Sequence, residues 1–341
     1  MNKLNKIGVS ALCGSLAAIS AANAGDLSAT GGATITYLST EGGNTGNPIG
    51  MASNVTFTGS GDLDNGWSVA MSIAGTDQGG YSNTNITIGI PSIGDIRVDQ
   101  GTSGTGIQRM DDITPTVWEE ADGAGISAGI NKIMGTSAGS TIEITPSAFT
   151  PAGLTARIAV SPDSDSGNTN DKAAGGTSGP LGSGWDITLS AGSELTGVDG
   201  LTVYGGISMI DQPTNASSVT GDVEEKVVGI KYVGSGMADR ISVGAQITQE
   251  DTGVTGTTEY ENLAYSLTFK VSDELSIGYN HVESDETGQD LPSPEADSLQ
   301  IAYTMGGASF RIAEVSTKNG TYSTASTADV DGTVISMGLA F

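Results

Sequence analysis

Few side chains in this chain could do covalent or metal chemistry. His281 is the only histidine and Cys13 the only cysteine among 341 residues. One imidazole with no thiolate or second imidazole makes neither a zinc site nor a Cys–His pair. A Ser–His–Asp triad through His281 is formally open, but no nucleophile elbow, phosphate loop or dinucleotide fingerprint is read into the chain, so catalysis is not expected. Two acidic groups are the candidate calcium ligands, Asp163 with Asp165 and Asp111 with Asp112. The first pair has calcium-loop spacing without the bidentate glutamate such a loop needs, so a hydrated surface loop is favoured and no cofactor is expected.

What remains is electrostatic chemistry. Asp111, Asp112, Glu119, Glu120 and Asp122 crowd one segment, Gly101–Ala138. The chain has only 13 basic residues, and strand alternation puts Arg97, Arg157, Arg311, Lys231 and Lys270 on polar faces. Acids on a loop facing arginines on a wall would set up a transverse field across a narrow opening. The alternative is that each arginine pairs locally near the end of its own strand. Which arginine faces the loop is left open, Arg97 being nearest in sequence and Arg157 one hairpin further on.

The net charge of −26 argues against nucleic acid as a partner, because phosphate binding wants a basic surface. Residues 1–24 read as a removable export leader: Lys3 and Lys6, an apolar stretch from Ile7, and an A-x-A site at Ala22-Asn23-Ala24. Residues 25–341 then form one domain. No segment after the leader approaches the roughly 18 consecutive apolar residues of a spanning helix.

The elements that must position the charges are strands. Thr333, Ile335, Met337, Leu339 and Phe341 alternate with Val334, Ser336, Gly338 and Ala340, and Leu263, Tyr265, Leu267, Phe269 and Val271 alternate with small or polar residues. Period-two segments of about 8–11 residues are long enough for a tilted strand to cross a bilayer. Their polar positions carry Ser, Thr, Asn and Gly rather than the Lys and Glu of a soluble exterior. Sixteen such segments are predicted, beginning near residues 27, 51, 66, 81, 95, 139, 153, 184, 201, 225, 241, 259, 275, 297, 308 and 331. Short connections alternate with mostly longer ones, and Thr76–Gly80 is the short exception. Gly125–Ile133 would break the even count and is placed in a loop. The fold class is therefore all-β, a 16-stranded antiparallel transmembrane barrel with a long third loop.

With its leader, its sixteen strands, its terminal Phe341 and the segment Arg109-Met-Asp-Asp-Ile-Thr-Pro-Thr-Val-Trp-Glu-Glu, the chain resembles Gram-negative trimeric porins, the alphaproteobacterial branch in particular. The resemblance implies a third loop folded into the lumen as a constriction. It also implies a homotrimer in the bacterial outer membrane, surrounded by lipid and lipopolysaccharide, passing small hydrophilic solutes. Phe341 and its strand would be the signal read by the barrel-assembly machinery. Net acidity suggests cation preference. A substrate-specific channel would need a lumenal run of aromatics, of which Tyr204 is the clearest candidate. A secreted β-rich adhesin is the rival from another class. Aromatics are sparse, and Trp67, Trp185, Tyr260, Tyr265, Tyr279 and Tyr303 are the candidates for the interfacial girdles.

Overall fold

Strands of alternating pattern leave one face apolar and one polar, and closing them on each other removes the unpaired edges. The computed structural model does this with sixteen antiparallel strands, each bonded to its chain neighbours, while β1 (Ala24–Glu41) pairs with β16 (Val330–Ala340) to close the barrel. The structure describes residues 24–341 except 42–45, 78–79, 101–103, 166–179, 213–217, 235–238 and 257–258. Apart from Ala24, the expected leader lies outside the described residues.

The strands between are β2 (Ile49–Asp62), β3 (Ser68–Thr76), β4 (Gly80–Ile90), β5 (Gly94–Gln100), β6 (Ser140–Thr145), β7 (Leu154–Ser161) and β8 (Gly184–Ala191). They continue as β9 (Leu201–Ile210), β10 (Val223–Val233), β11 (Ile241–Asp251), β12 (Glu259–Lys270), β13 (Leu275–Thr287), β14 (Glu295–Met305) and β15 (Ala308–Lys318). None begins more than three residues from its predicted start. Residues 125–133 form no strand, as parity required.

The register carries the alternation around the barrel. Ile158 of β7 faces Ile187 of β8, Ile187 faces Ile207 of β9, and Ile301 of β14 faces Ile312 of β15, which faces Ile335 of β16. All six are exposed, so the apolar stripe runs on the outer face. At the alternate positions Thr188, Ser208, Gln246, Asn262, Asn280, Gln300 and Ser336 are buried. Trp67, Trp185, Tyr265, Tyr279 and Tyr303 are exposed on the apolar face. Tyr260 is not: it shares the parity of Ala264 and Ser266, and its ring lies 5.4 Å from that of Tyr322. That removes it from the girdle candidates.

The terminal residue completes the closure. Phe341 donates its N–H to the Gly31 carbonyl and accepts from Gly31 N–H, at 3.0 and 3.1 Å. A Cβ on Gly31 would come within 3.1 Å of the Phe341 ring, so this glycine lets the aromatic lie against β1.

Candidate functional site: the segment between β5 and β6

A chain of this length between two paired strands must satisfy its own peptide groups, since it has no ladder to join. Its two ends form 3₁₀ turns, Gly106–Met110 and Gly135–Ala138, and both turns run up against buried carboxylates of the wall. Asp186 of β8 accepts from Ile107 N–H at 3.1 Å, from Thr136 N–H at 3.2 Å and from the Thr136 hydroxyl at 2.9 Å. Glu143 of β6 accepts from Gly106 N–H at 2.8 Å. Glu225 of β10 accepts from Met134 and Gly135 N–H at 3.0 and 2.6 Å. A carboxylate can satisfy several donors at once, and charge-assisted bonds of this kind are the stronger class. Gly106 is required where it stands: it has φ +55°, and a Cβ there would lie 1.7 Å from Asp186 Oδ2.

Amide side chains hold the middle. Gln300 of β14 accepts from Trp118 and Glu119 N–H at 3.0 and 3.3 Å and donates to the Glu119 carbonyl at 2.6 Å. Gln246 of β11 donates to the Asp111 carbonyl at 2.6 Å, and Asn262 of β12 to the Asn131 carbonyl at 2.7 Å. Glutamine and asparagine suit this role because one group both donates and accepts. Ile107, Met110 and Ile133 pack with Tyr204 and Val227, while Ala124 and Ile126 pack with Ala313, Val315 and Val334. The segment therefore lies along the polar face of strands from β6 to β16.

The charges are placed differently from the sequence expectation. Four of the five loop acids, Asp111, Asp112, Glu120 and Asp122, surround a lysine of their own segment, and only Glu119 feels a wall arginine, Arg311. Lys132 Nζ lies 2.8 Å from Glu120, 3.4 Å from Asp112, 3.7 Å from Asp122 and 4.0 Å from Asp111. The segment doubles back, which brings residue 132 beside residues 111–122. Asp122 also accepts from Ala128 N–H at 2.7 Å and Ser127 Oγ at 3.1 Å, tying that return.

Burial pushes the Asp111 and Glu120 carboxyls up to about 8, with the Asp112 charge adding to both. Asp112, whose side chain is 59% exposed, is held below the usual carboxylate range, because hydrogen bonds from Glu120 and Lys132 and the lysine charge outweigh its partial desolvation. Glu119 is raised by burial and partly offset by Arg311. Burial works against the Lys132 ammonium, yet Glu120 and Asp112 outweigh it and hold the proton more tightly than usual.

The expected wall residues fall into separate places. Arg157 lies 3.9 Å from Glu143, whose carboxylate already receives Arg109 of the segment through Nε at 3.0 Å and Nη2 at 2.6 Å. Arg311 of β15 lies over the ring of Trp118, 5.9 Å from its centroid, next to Glu119. Arg97 turns along its own strand to Asp99, so the local-pairing alternative holds there. Lys231 is half-buried on the polar face of β10. Lys270 stands at the short-turn end of β12, 3.5 Å from Asp273, far in sequence register from the segment's partners on that strand.

Lys132 and the carboxylates Glu143, Asp186 and Glu225 were absent from the sequence expectation, and Arg109 entered it only as the first residue of the resemblance segment. For Glu143 and Asp186 the signal was a single acid in a short strand without another charge, which demands a donor nearby. The G-x-S-x-G spacing, not recognised in the sequence, does occur, at Gly125–Gly129, where Ser127 is bound to Asp122, and at Gly135–Gly139. Ser137 there is 2% exposed, sits on a 3₁₀ turn and donates to Gln108 Oε1 and the Met134 carbonyl. His281 is elsewhere, on the apolar parity of β13, 2.8 Å from Asp297. The spacing is therefore not an elbow.

Among the described residues no three or more His, Cys, Asp or Glu side chains are grouped to hold a metal ion. Lys132 stands at the centre of the Asp111–Asp112 group, and Asp163 and Asp165 accept backbone N–H groups of Asp165 and Leu181. The rest of that second loop, residues 166–179, including Asp171, lies outside the described residues.

No protein-family model matches the chain, and no curated protein matches it in sequence. Solved structures do. The structure superposes on a Salmonella typhi OmpF complex with daunomycin at TM-score 0.69, with 14% identity over 92% of this chain and 97% of that one. An anion-selective porin from Comamonas acidovorans gives 0.61 at 14% identity, covering 93% and 99%. A mutant of the Rh. blastica porin gives 0.58 at 12% identity, covering 93% and 100%. The fold is that of the porins. At these identities the likeness concerns architecture.

Proposed function

We propose that this chain is an outer-membrane porin: a water-filled channel through which small hydrophilic solutes and ions diffuse passively. The observation that carries the reading is the segment between β5 and β6, hydrogen-bonded along the polar face of a closed barrel. A strand connector would not need carboxylates and amides from so many strands to hold it; a fixed narrowing of a wet lumen would. The exposed apolar outer face supports a lipid surrounding, since a continuous patch of this extent is unfavourable in water.

The segment forms the constriction. Asp111, Asp112, Glu119, Glu120 and Asp122 with Lys132 make its acidic side, and Arg109, Arg157 and Arg97 with Glu143 and Asp99 its basic side. Cation preference follows from the surplus of acids, and the anion selectivity of the Comamonas porin indicates that the fold leaves the sign to the side chains. The reading extends to an export leader over residues 1–24, a homotrimer of the alphaproteobacterial type, contact with lipopolysaccharide and assembly through the strand ending at Phe341. It invokes no catalytic step and no cofactor.

Purified protein reconstituted into planar bilayers tests this. Stepwise conductance with a reversal potential of cationic sign in a potassium chloride gradient is expected. A protein that stays soluble without detergent and gives no conductance would sink the proposal.

A further inference from the structure

The connection between β15 and β16, residues 319–329, reaches back to the far end of the β5–β6 segment. Thr321 N–H donates to the Ala128 carbonyl at 2.7 Å. Asn131 N–H donates to the Tyr322 hydroxyl at 3.2 Å, and that hydroxyl also lies 2.6 Å from Ser284 Oγ on β13. The ring stacks at a tilt on Tyr260 of β12. Gly129 accommodates the contact at φ +65°, where a Cβ would come 2.6 Å from Thr321 Cγ2.

This connection is strained. Asn319, Thr321 and Tyr322 have φ of 51°, 56° and 56°, the left-handed region that a β-branched or aromatic residue rarely adopts. Such backbone persists where its surroundings over-determine it. Here those surroundings include Asn319 N–H on Asp329, Asn319 Nδ2 on the Ser293 carbonyl, and Gly320 N–H on the Ala328 carbonyl. The strain serves no strand pairing. What it does is aim Thr321 N–H and the Tyr322 hydroxyl at residues 128–131, immediately before Lys132.

We propose that the 319–329 connection is a latch on the constriction, with Tyr322 as the positioning residue that fixes Lys132 among its carboxylates. The inference rests on the reading of the β5–β6 segment as the constriction. Most of that segment is held by strand side chains alone; at its far end Asn131 is held by Asn262 of β12 and Glu250 of β11 and, in addition, by a second loop, so the opening's width and charge depend in part on a contact between two connections. Tyr322 acts through the backbone of Asn131 and touches no permeating ion in this role.

The test is single-channel recording of the full barrel in planar bilayers for Tyr322→Phe, Tyr322→Ala and Lys132→Met, with heat-modifiable migration checking that each barrel is assembled. Tyr322→Phe keeps the ring on Tyr260 but loses the hydroxyl that receives Asn131 N–H, so the time spent in altered conductance levels is expected to rise about fivefold, the equilibrium factor of one lost hydrogen bond, with a move of the reversal potential. Tyr322→Ala, which loses the ring contact as well, is expected to do more, and Tyr322→Phe decides the matter if Tyr322→Ala does not assemble. Tyr322 variants as quiet as the unaltered protein, with Lys132→Met still shifting the reversal potential, would overturn the latch and leave the constriction standing. If Lys132→Met also changes nothing, the constriction is itself the wrong reading and the latch falls with it.

Discussion

Replacing Lys132 with methionine removes the one ammonium from a group of four carboxylates while keeping an unbranched side chain of similar reach. A unit charge about 5 Å from an ion path contributes about 0.8 kcal/mol at water-like dielectric. Screening at physiological salt reduces this to about half. Loss of the charge acts with opposite sign on cations and anions, so their barriers separate by about 0.9 kcal/mol, about a four- to fivefold rise in the cation-to-anion permeability ratio. Proton uptake opposes the change. Near neutral pH, Asp111 and Glu120, pushed up to about 8, already hold their protons and take up little more when the ammonium goes. Above that value they are ionised in the unaltered protein but keep their protons in Lys132→Met, which cancels part of the lost charge. The full shift should therefore appear at about pH 7 and shrink at about pH 9 in reversal potentials measured for both proteins in a salt gradient. A ratio unchanged at the lower pH would mean that Lys132 does not face the permeating ions.

Further outcomes follow from the same geometry. In the unaltered protein, cation preference should rise as pH passes through about 8, because Asp111 and Glu120 then ionise; a flat reversal potential across that range would contradict their burial. The linkage has a definite sign. Their folded values lie above the unfolded ones, so the folded segment binds more protons, and its stability is greatest below the ordinary carboxylate range and declines as pH rises through about 8. Limited proteolysis of the segment should accordingly be faster in alkali. Arg109→Ala strips a buried carboxylate of its bidentate partner and should cost about 3–5 kcal/mol, seen as a lower temperature for loss of the folded band on gels, whereas Arg109→Ala with Glu143→Gln should recover much of it. Gly244→Val should push the segment from the wall, since a Cβ there would lie 2.5 Å from Pro115 Cδ, and single-channel conductance should change without loss of the barrel.

The barrel was legible because its rule is local. A pleated strand sends successive side chains to opposite faces, so Ile158, Ile187 and Ile312 declare the outer face from sequence alone, and alternating loop lengths declare the two ends. The same rule put Arg97, Arg157 and Arg311 on the polar face, and the even strand count of a closed barrel kept 125–133 out of the sheet. It misassigned Tyr260 because girdle candidates were chosen by residue type and not by parity. The site was legible only in part. Its acids stood out by crowding, but their counter-charge did not: the choice among the wall arginines stayed open, while the structure gives four of the acids Lys132 and gives Arg97 to Asp99. Asp186 and Glu225 looked like ordinary polar positions until the segment's N–H groups arrived at them. Period-two alternation is written residue by residue, whereas an ion pair depends on the distance between charges, and that distance exists only once the segment has folded back on itself.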